Sequence, residues 1–429
     1  MRSRRQAIPG LVFLEHELEV PLDHARPDGE TITVFAREVT TPEKEGQELP
    51  RLLFLQGGPG FPSPRPGDGS GWLGRALEEY RVVLLDQRGT GRSSPVTHET
   101  LGRFSTPTEQ AAHLACFRSD SIVADCELLR RELLGSHGRW TLLGQSYGGF
   151  CSTHYLSAAP EGLATVLITG GLPGITATVE EIYRLTYARL LGKNRRYYER
   201  YPGDVERIQE IAARLVEEDV RLPGGDRLSL RGFQTLGLSF GMSDGFEKLH
   251  YLVEEAFVDT ARGRALGYGF LRGVENYNAY DTNPIFALLH EPIYAQGAAT
   301  AWCAARLRPG FPAFDSGEGP LQFTCEMIYP WMFEDWGVLR PLREAAELLA
   351  VKNDWPALYD PERLARNEVP VAAAVYHDDV YVPVELSLDT AARVPNVRTW
   401  ITNEYEHNGL RADGARILGR LLDLARGSA

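Results

Sequence analysis

The chain has 429 residues, a formal net charge of −13, 43% apolar and 24% charged residues. This is the composition of an ordinary globular protein, long enough for one large domain with an insertion or for two domains. The negative balance argues against a general nucleic-acid or anionic-membrane binder, since both surfaces repel it. Five scattered cysteines (Cys116, Cys126, Cys151, Cys303 and Cys325) show no Cys-x-x-Cys spacing. Neither a metal site nor a disulfide framework is expected, and a reducing compartment fits better. The basic start, Met1 to Arg5, is not followed by a long apolar run, and no stretch reaches the ~18 apolar residues of a membrane span. A cytoplasmic location without membrane or nucleic-acid partners is therefore expected.

In chain order, Leu18–Leu22 and Ile32–Ala36 alternate apolar and polar residues around Pro27-Asp28-Gly29, predicting two antiparallel strands. Arg51–Leu55, Arg81–Asp86, Trp140–Leu143 and Leu163–Ile168 are short apolar runs, as in strands of a parallel sheet buried on both faces. Thr106 to Leu134 is rich in Ala, Leu, Glu and Arg and predicts a long helix between two of them. From about residue 175 the texture turns helical, over 179–219, 233–260 and 334–352. No buried-strand pattern returns until Val369–Tyr376, followed by Val397–Ile401 and a closing amphipathic helix over Arg411–Leu424. The prediction is an α/β fold, with residues 1–174 and 356–429 forming one mostly parallel sheet domain. Residues 175–355 form a large, mostly helical cap inserted after the sixth strand.

The strand at Trp140–Leu143 runs into Gly144-Gln145-Ser146-Tyr147-Gly148-Gly149, with a helix-compatible segment behind it. In that context Gly-x-Ser-x-Gly marks a nucleophile elbow, a turn so tight that small residues must flank the serine. A nucleophilic Ser146 needs a base and an acid to orient it, and on such folds they follow in the order serine, acid, histidine. His407 lies on the loop after the last predicted strand. Asp378 and Asp379 lie on the loop before it, and adjacent side chains there do not generally both face one histidine. Two oxyanion donors are expected from backbone N–H groups, at Tyr147 and in the loop Gln56-Gly57-Gly58-Pro59-Gly60, with Gly58 preferred to Gly57.

Three motifs carry a resemblance: Gly57-Gly58-Pro59-Gly60, Asp86-Gln87-Arg88-Gly89-Thr90-Gly91-Arg92-Ser93 and Gly144-Gln145-Ser146-Tyr147-Gly148-Gly149. Together they resemble the proline iminopeptidase (prolyl aminopeptidase) family of α/β-hydrolases, in its longer bacterial form. Gln56 departs from the histidine that shorter members carry there. The resemblance implies release of N-terminal proline from peptide substrates through an acyl-enzyme on Ser146, without a cofactor. The Asp-x-x-x-Pro spacing to Pro383 favours Asp379 as the acid by the same resemblance. It also implies acidic cap residues for the substrate amine. Leu288–Tyr294 looks like the first such region and gives Glu291, and Phe323–Trp331 offers Glu326 as a second. Cys151 and Cys325, near these features, are expected to be buried and inert.

Two other functions fit the same motifs less well. An esterase of the same fold would have no use for a buried carboxylate in its cap. A non-catalytic binding protein would gain nothing from a complete serine, acid and histidine set.

Overall fold

Nine strands make one sheet, in the order β1-β2-β3-β5-β4-β6-β7-β10-β11. They are β1 (Arg2–Ile8), β2 (Leu11–Pro21), β3 (Thr31–Thr40), β4 (Arg51–Leu55), β5 (Arg81–Asp86), β6 (Trp140–Gln145), β7 (Leu163–Thr169), β10 (Val371–Tyr376) and β11 (Val397–Thr402). A separate two-stranded hairpin is formed by β8 (Phe257–Thr260) and β9 (Gly263–Leu266). The computed structural model describes residues 1–277, 280–315, 317 and 319–428. The first three strands run antiparallel and β3 joins β5 antiparallel, while β5, β4, β6, β7, β10 and β11 pair in parallel. The central strands are apolar without alternation because both faces are covered. In β4, Leu52 and Phe54 pack on one side and Leu53 and Leu55 on the other.

One face of the sheet is closed by the helices Gly71–Leu77 and Gly414–Arg426, with Leu73, Leu77, Ile417, Leu418, Leu421 and Leu422 against the strands. The other face carries the helices Ser119–Leu134 and Tyr147–Ala158, and its apolar core continues without a break into the helices between β7 and β10. The first of these, Val179–Arg200, starts at a capping box made by Thr178 and Glu181. It buries Ile182, Tyr183, Thr186, Tyr187, Leu190, Asn194 and Tyr197 along one stripe.

The structure differs from the sequence expectation in three places. β1 is an additional strand, so the helical insertion follows the seventh strand rather than the sixth, at the expected point after Leu163–Thr169. β1 is exposed, and its Arg2, Arg4 and Arg5 give it the look of a solvated tail; charge on an edge strand also discourages pairing with other chains. The segment 257–260, expected to be helical, pairs with 263–266 as β8–β9, where Gly263 closes the turn at φ 103°.

The long helix expected over 106–134 is broken. Pro107–Leu114 passes through a short 3-10 turn, and a new helix starts at Ser119 after Arg118, whose backbone is extended at φ −88°, ψ −178°. The break turns Arg118 inward, where it is fully buried. Its guanidinium donates to Pro292 O at 2.9 Å, Ala295 O at 2.7 Å and Pro356 O at 2.9 Å, and stacks 4.5 Å from the Trp355 ring. One side chain from the sheet domain thus holds the insertion at its middle and at its return. Arg118→Met is expected to cost about 3 kcal/mol or more, the scale of losing charged hydrogen bonds that leave buried carbonyls unpaired. Thermal unfolding, with hydrogen exchange at residues 292–297 and 355–358, reads it; an unchanged midpoint and unchanged exchange would refute it.

Candidate active site

β6 delivers Ser146 into a turn at φ 54°, ψ −124°, immediately before the helix Tyr147–Ala158. A non-glycine residue held there stores about 1–3 kcal/mol of backbone strain. Two hydrogen bonds maintain it: Ser146 N–H donates to Thr169 O at 3.0 Å, and Gly149 N–H donates to Ser146 O at 2.7 Å. The flanking glycines are required by contact. A Cβ on Gly148 would lie 1.9 Å from Leu55 O, and one on Gly144 would lie 2.4 Å from Gly148 O.

The loop after β4 lies directly against the serine, since a Cβ on Gly57 would sit 2.9 Å from Ser146 Cβ. Gly58, next to it, has φ 130°, open to glycine and hostile to other residues. Tyr147 is the first residue of its helix, so its N–H has no acceptor within the helix. The loop is held from behind, where Gln87 Nε2 donates to Gln56 O at 2.9 Å. Because the bond uses the carbonyl, the glutamine side chain at position 56 leaves it untouched.

The rest of the Asp86–Ser93 motif is scaffold. Asp86 accepts from Ser63 N–H, Arg92 N–H and both terminal nitrogens of Arg65. Arg88 grips Asp125 at 2.7 and 2.6 Å and caps Pro21 O, Leu22 O and Cys116 O. Both Asp86 and Arg88 are buried, and this many partners is what makes buried charges tolerable.

The two adjacent aspartates part company. Asp379 is buried. Its Oδ2 accepts from His407 Nδ1 at 2.7 Å, and its Oδ1 accepts from Tyr381 N–H at 2.8 Å and Val382 N–H at 3.1 Å. Asp378 turns outward to His377 and Arg196. His407 is buried, with its ring edge-on to Tyr381 at 4.6 Å and its N–H donating to Gly241 O of the insertion at 3.0 Å. It adjoins the elbow: a Cβ on Gly170, the residue after Thr169, would lie 3.2 Å from His407 Nδ1. Burial pulls the imidazole pKa down, but Asp379, with Glu326 and Glu406, outweighs it and leaves the pKa above its ordinary 6.5.

The two cap glutamates have different surroundings. Glu326 lies near enough to the Asp379–His407 pair for their charges to act on it. Burial pushes its carboxyl up to about 7, with His407 opposing and Asp379 adding. Its side chain keeps 15% of its surface open, and His290 Nε2 is 4.0 Å from Oε2. Glu291 is more enclosed, and burial also raises it to about 7. Both its oxygens are engaged: Oε2 accepts from Cys303 N–H and Oε1 from Ala304 N–H, each at 3.0 Å, at the start of the helix Cys303–Leu307.

Tyr294 packs on Phe150, and both line a cavity with Ile182, Tyr359, Tyr381 and Pro383. Cys151 and Cys325 are buried, and burial raises both thiols, so neither offers a thiolate. Tyr381 and Gln87 lie inside motifs legible in the sequence, but their roles depend on contacts that spacing does not show.

Comparisons with known proteins agree with this architecture. The alpha/beta hydrolase fold family model matches residues 50–208. A proline iminopeptidase of Aeromonas sobria is 51% identical, over 98% of this chain and 98% of its own length. The proline iminopeptidase aneH of Aspergillus aculeatus is 38% identical, over 96% of this chain and 93% of its own. A probable proline iminopeptidase of Streptomyces coelicolor is 34% identical over 31% of this chain and 36% of its own. No helix among the described residues is long and apolar enough to cross a membrane. With identity running end to end, through sheet and insertion alike, the chain belongs to the proline iminopeptidase family of α/β-hydrolases.

Proposed function

We propose that this prolyl aminopeptidase frees N-terminal proline from peptides through an acyl-enzyme on Ser146, with Asp379 and His407 as acid and base. Residues 1–174 and 356–429 would be the catalytic domain and 175–355 the cap that covers the substrate's amino end. The observation that carries the proposal is a largely enclosed carboxylate, Glu326, in the field of a buried Asp379–His407 pair. An aminopeptidase must hold an ammonium near its nucleophile, and a carboxylate with little water around it does so at least cost. An ester pocket has no use for that charge.

The steps follow from the groups present. His407 Nδ1 is committed to Asp379, so Nε2 takes the proton of Ser146 as its oxygen attacks the prolyl carbonyl. The oxyanion takes hydrogen bonds from the N–H groups of Gly58 and Tyr147. His407 then gives its proton to the leaving peptide amine, and water repeats the sequence on the acyl-enzyme. Glu326 receives the substrate ammonium. Glu291, whose oxygens already accept two backbone N–H groups, acts on the amine through the field of its buried charge and holds the Cys303 helix in place.

Ser146→Ala and His407→Ala are each expected to lower kcat/KM on a chromogenic proline amide by about 10³-fold or more with the fold intact, and Asp379→Asn by about 10²-fold or more. Asp378→Asn should stay within about twofold, because its side chain points away from the base. Comparable losses at both aspartates would refute the assignment.

Glu326→Gln should raise KM for the proline amide by about tenfold or more, as one charge-assisted contact is lost. It should leave the rate of Ser146 sulfonylation by phenylmethanesulfonyl fluoride, which has no amine, largely unchanged at pH 8. Equal losses on both would count against amine binding. His407 and Glu326 both act deprotonated, and both are raised by their surroundings. kcat/KM should therefore fall on the acid side, with the Glu326 limb centred near pH 7 and full activity reached only well above it.

A further inference from the structure

The helix Val179–Arg200 sends three cations toward the loops that carry the acid and the base. Arg189, Lys193 and Arg196, four and three residues apart, share one face of the helix. Arg189 grips both oxygens of Glu385 at 2.7 and 2.6 Å and donates to His377 O, while Arg196 donates to Asp378 at 3.1 Å. These outer pairs lie near solvent. The middle one does not: Lys193, with 4% of its side chain exposed, meets Glu406 Oε2 at 2.6 Å. Glu406 is the residue before His407. Beyond this contact, neither Lys193 Nζ nor that Glu406 oxygen has a hydrogen-bond partner among the described residues.

We infer that Lys193 and Glu406 are a positioning pair for His407, through which the helix above the triad fixes the base's loop and sets the charge beside its imidazole. The inference rests on His407 being the base. A buried ion pair is poor evidence for stability, because apolar residues of similar volume often replace one without loss. Its location is the informative part. The next residue on the same helical turn, Asn194, holds Phe323 by two bonds, Nδ2–H to Phe323 O at 3.0 Å and Phe323 N–H to Oδ1 at 2.7 Å. Phe323 is three residues before Glu326. One turn of helix therefore registers the base's loop and the amine carboxylate's segment against each other.

The charges around the imidazole can be named. Asp379 and Tyr381 face His407 from the acid loop, Glu326 from the insertion and Glu406 from its own loop. Burial raises the Glu406 carboxyl above its ordinary value; Lys193 and Arg196 oppose that by favouring its charge, and Asp379 adds to it. Lys193 thus keeps a carboxylate ionised beside the base, and that carboxylate favours the imidazolium that forms during attack.

The test is the pH dependence of Ser146 sulfonylation by phenylmethanesulfonyl fluoride, which reads the base without the amine site. It is run on the full chain as wild type, Glu406→Gln, Lys193→Arg and Lys193→Met/Glu406→Gln. Glu406→Gln removes the nearby negative charge and leaves the lysine's positive one unchanged. The lost negative charge disfavours the imidazolium, so the acid limb should move down by about half a pH unit or more. The double variant leaves no unpaired buried charge and should move the same way by less, which keeps the test open if the single variant does not fold. Lys193→Arg should keep the wild-type limb. An unmoved limb in both Gln variants, or a limb displaced as far by Lys193→Arg, overturns the inference. A wild-type protein that the reagent does not inactivate overturns the triad assignment instead.

Discussion

Ser146 sits in a backbone conformation that residues with side chains avoid, and much of the upper edge of the sheet is arranged to keep it there. Its N–H is tied to Thr169 at the end of β7, and its carbonyl to Gly149 in the helix behind it. That helix reaches the sheet so closely that Gly148 touches the Leu55 carbonyl at the end of β4. The turn is strained because three strands and a helix share too little space for any relaxed alternative. The same crowding brings the loop after β4 beside the serine, where Gln87 pins it from below. The Ser146 turn and the candidate oxyanion donors beside it are thus consequences of one packing constraint rather than separately placed features.

The insertion is bound to this frame at several points, each in a different way. Arg118 grips backbone carbonyls at its middle and its return, Gly241 accepts the His407 N–H, and the helix Val179–Arg200 lies over the loops of Asp379 and His407. The insertion and the loops of Asp379 and His407 are therefore mechanically joined. Phe323, three residues before Glu326, and Glu406, next to His407, are held by consecutive residues of one helix, so movement of that helix displaces both segments.

How much of this was legible in the sequence depended on how local the cause was. The central strands could be read because burial on both faces leaves uninterrupted apolar runs, and Ser146 because the tight turn demands glycines at fixed offsets. The meeting of Asp379 with His407 was foreseeable because both lie on loops at the ends of neighbouring parallel strands. β1 was hidden because its arginines answer to its edge position, and the break at Arg118 because the carbonyls that need its guanidinium lie more than 170 residues away. The contrast between Glu291 and Glu326 has the same origin. Both sit among apolar and aromatic residues, but Glu291 meets the start of a five-residue helix. Spacing along the chain does not show such an encounter. Lys193 is one of many cations on a 22-residue helix, and nothing in its neighbours marks it as the buried one.

The apolar core on the insertion's side of the sheet is a single body, running from Leu53, Val83 and Leu142 through Tyr183, Tyr187 and Phe233 to Leu349. A lid built this way cannot swing open like a door, because each 100 Å² of apolar surface it uncovered would cost about 2.5 kcal/mol. Passage to Ser146, which keeps 9% of its surface exposed, falls to loop-sized openings. Openings of that size would suit something thread-like: the loose end of a peptide rather than the thick surface of a folded protein.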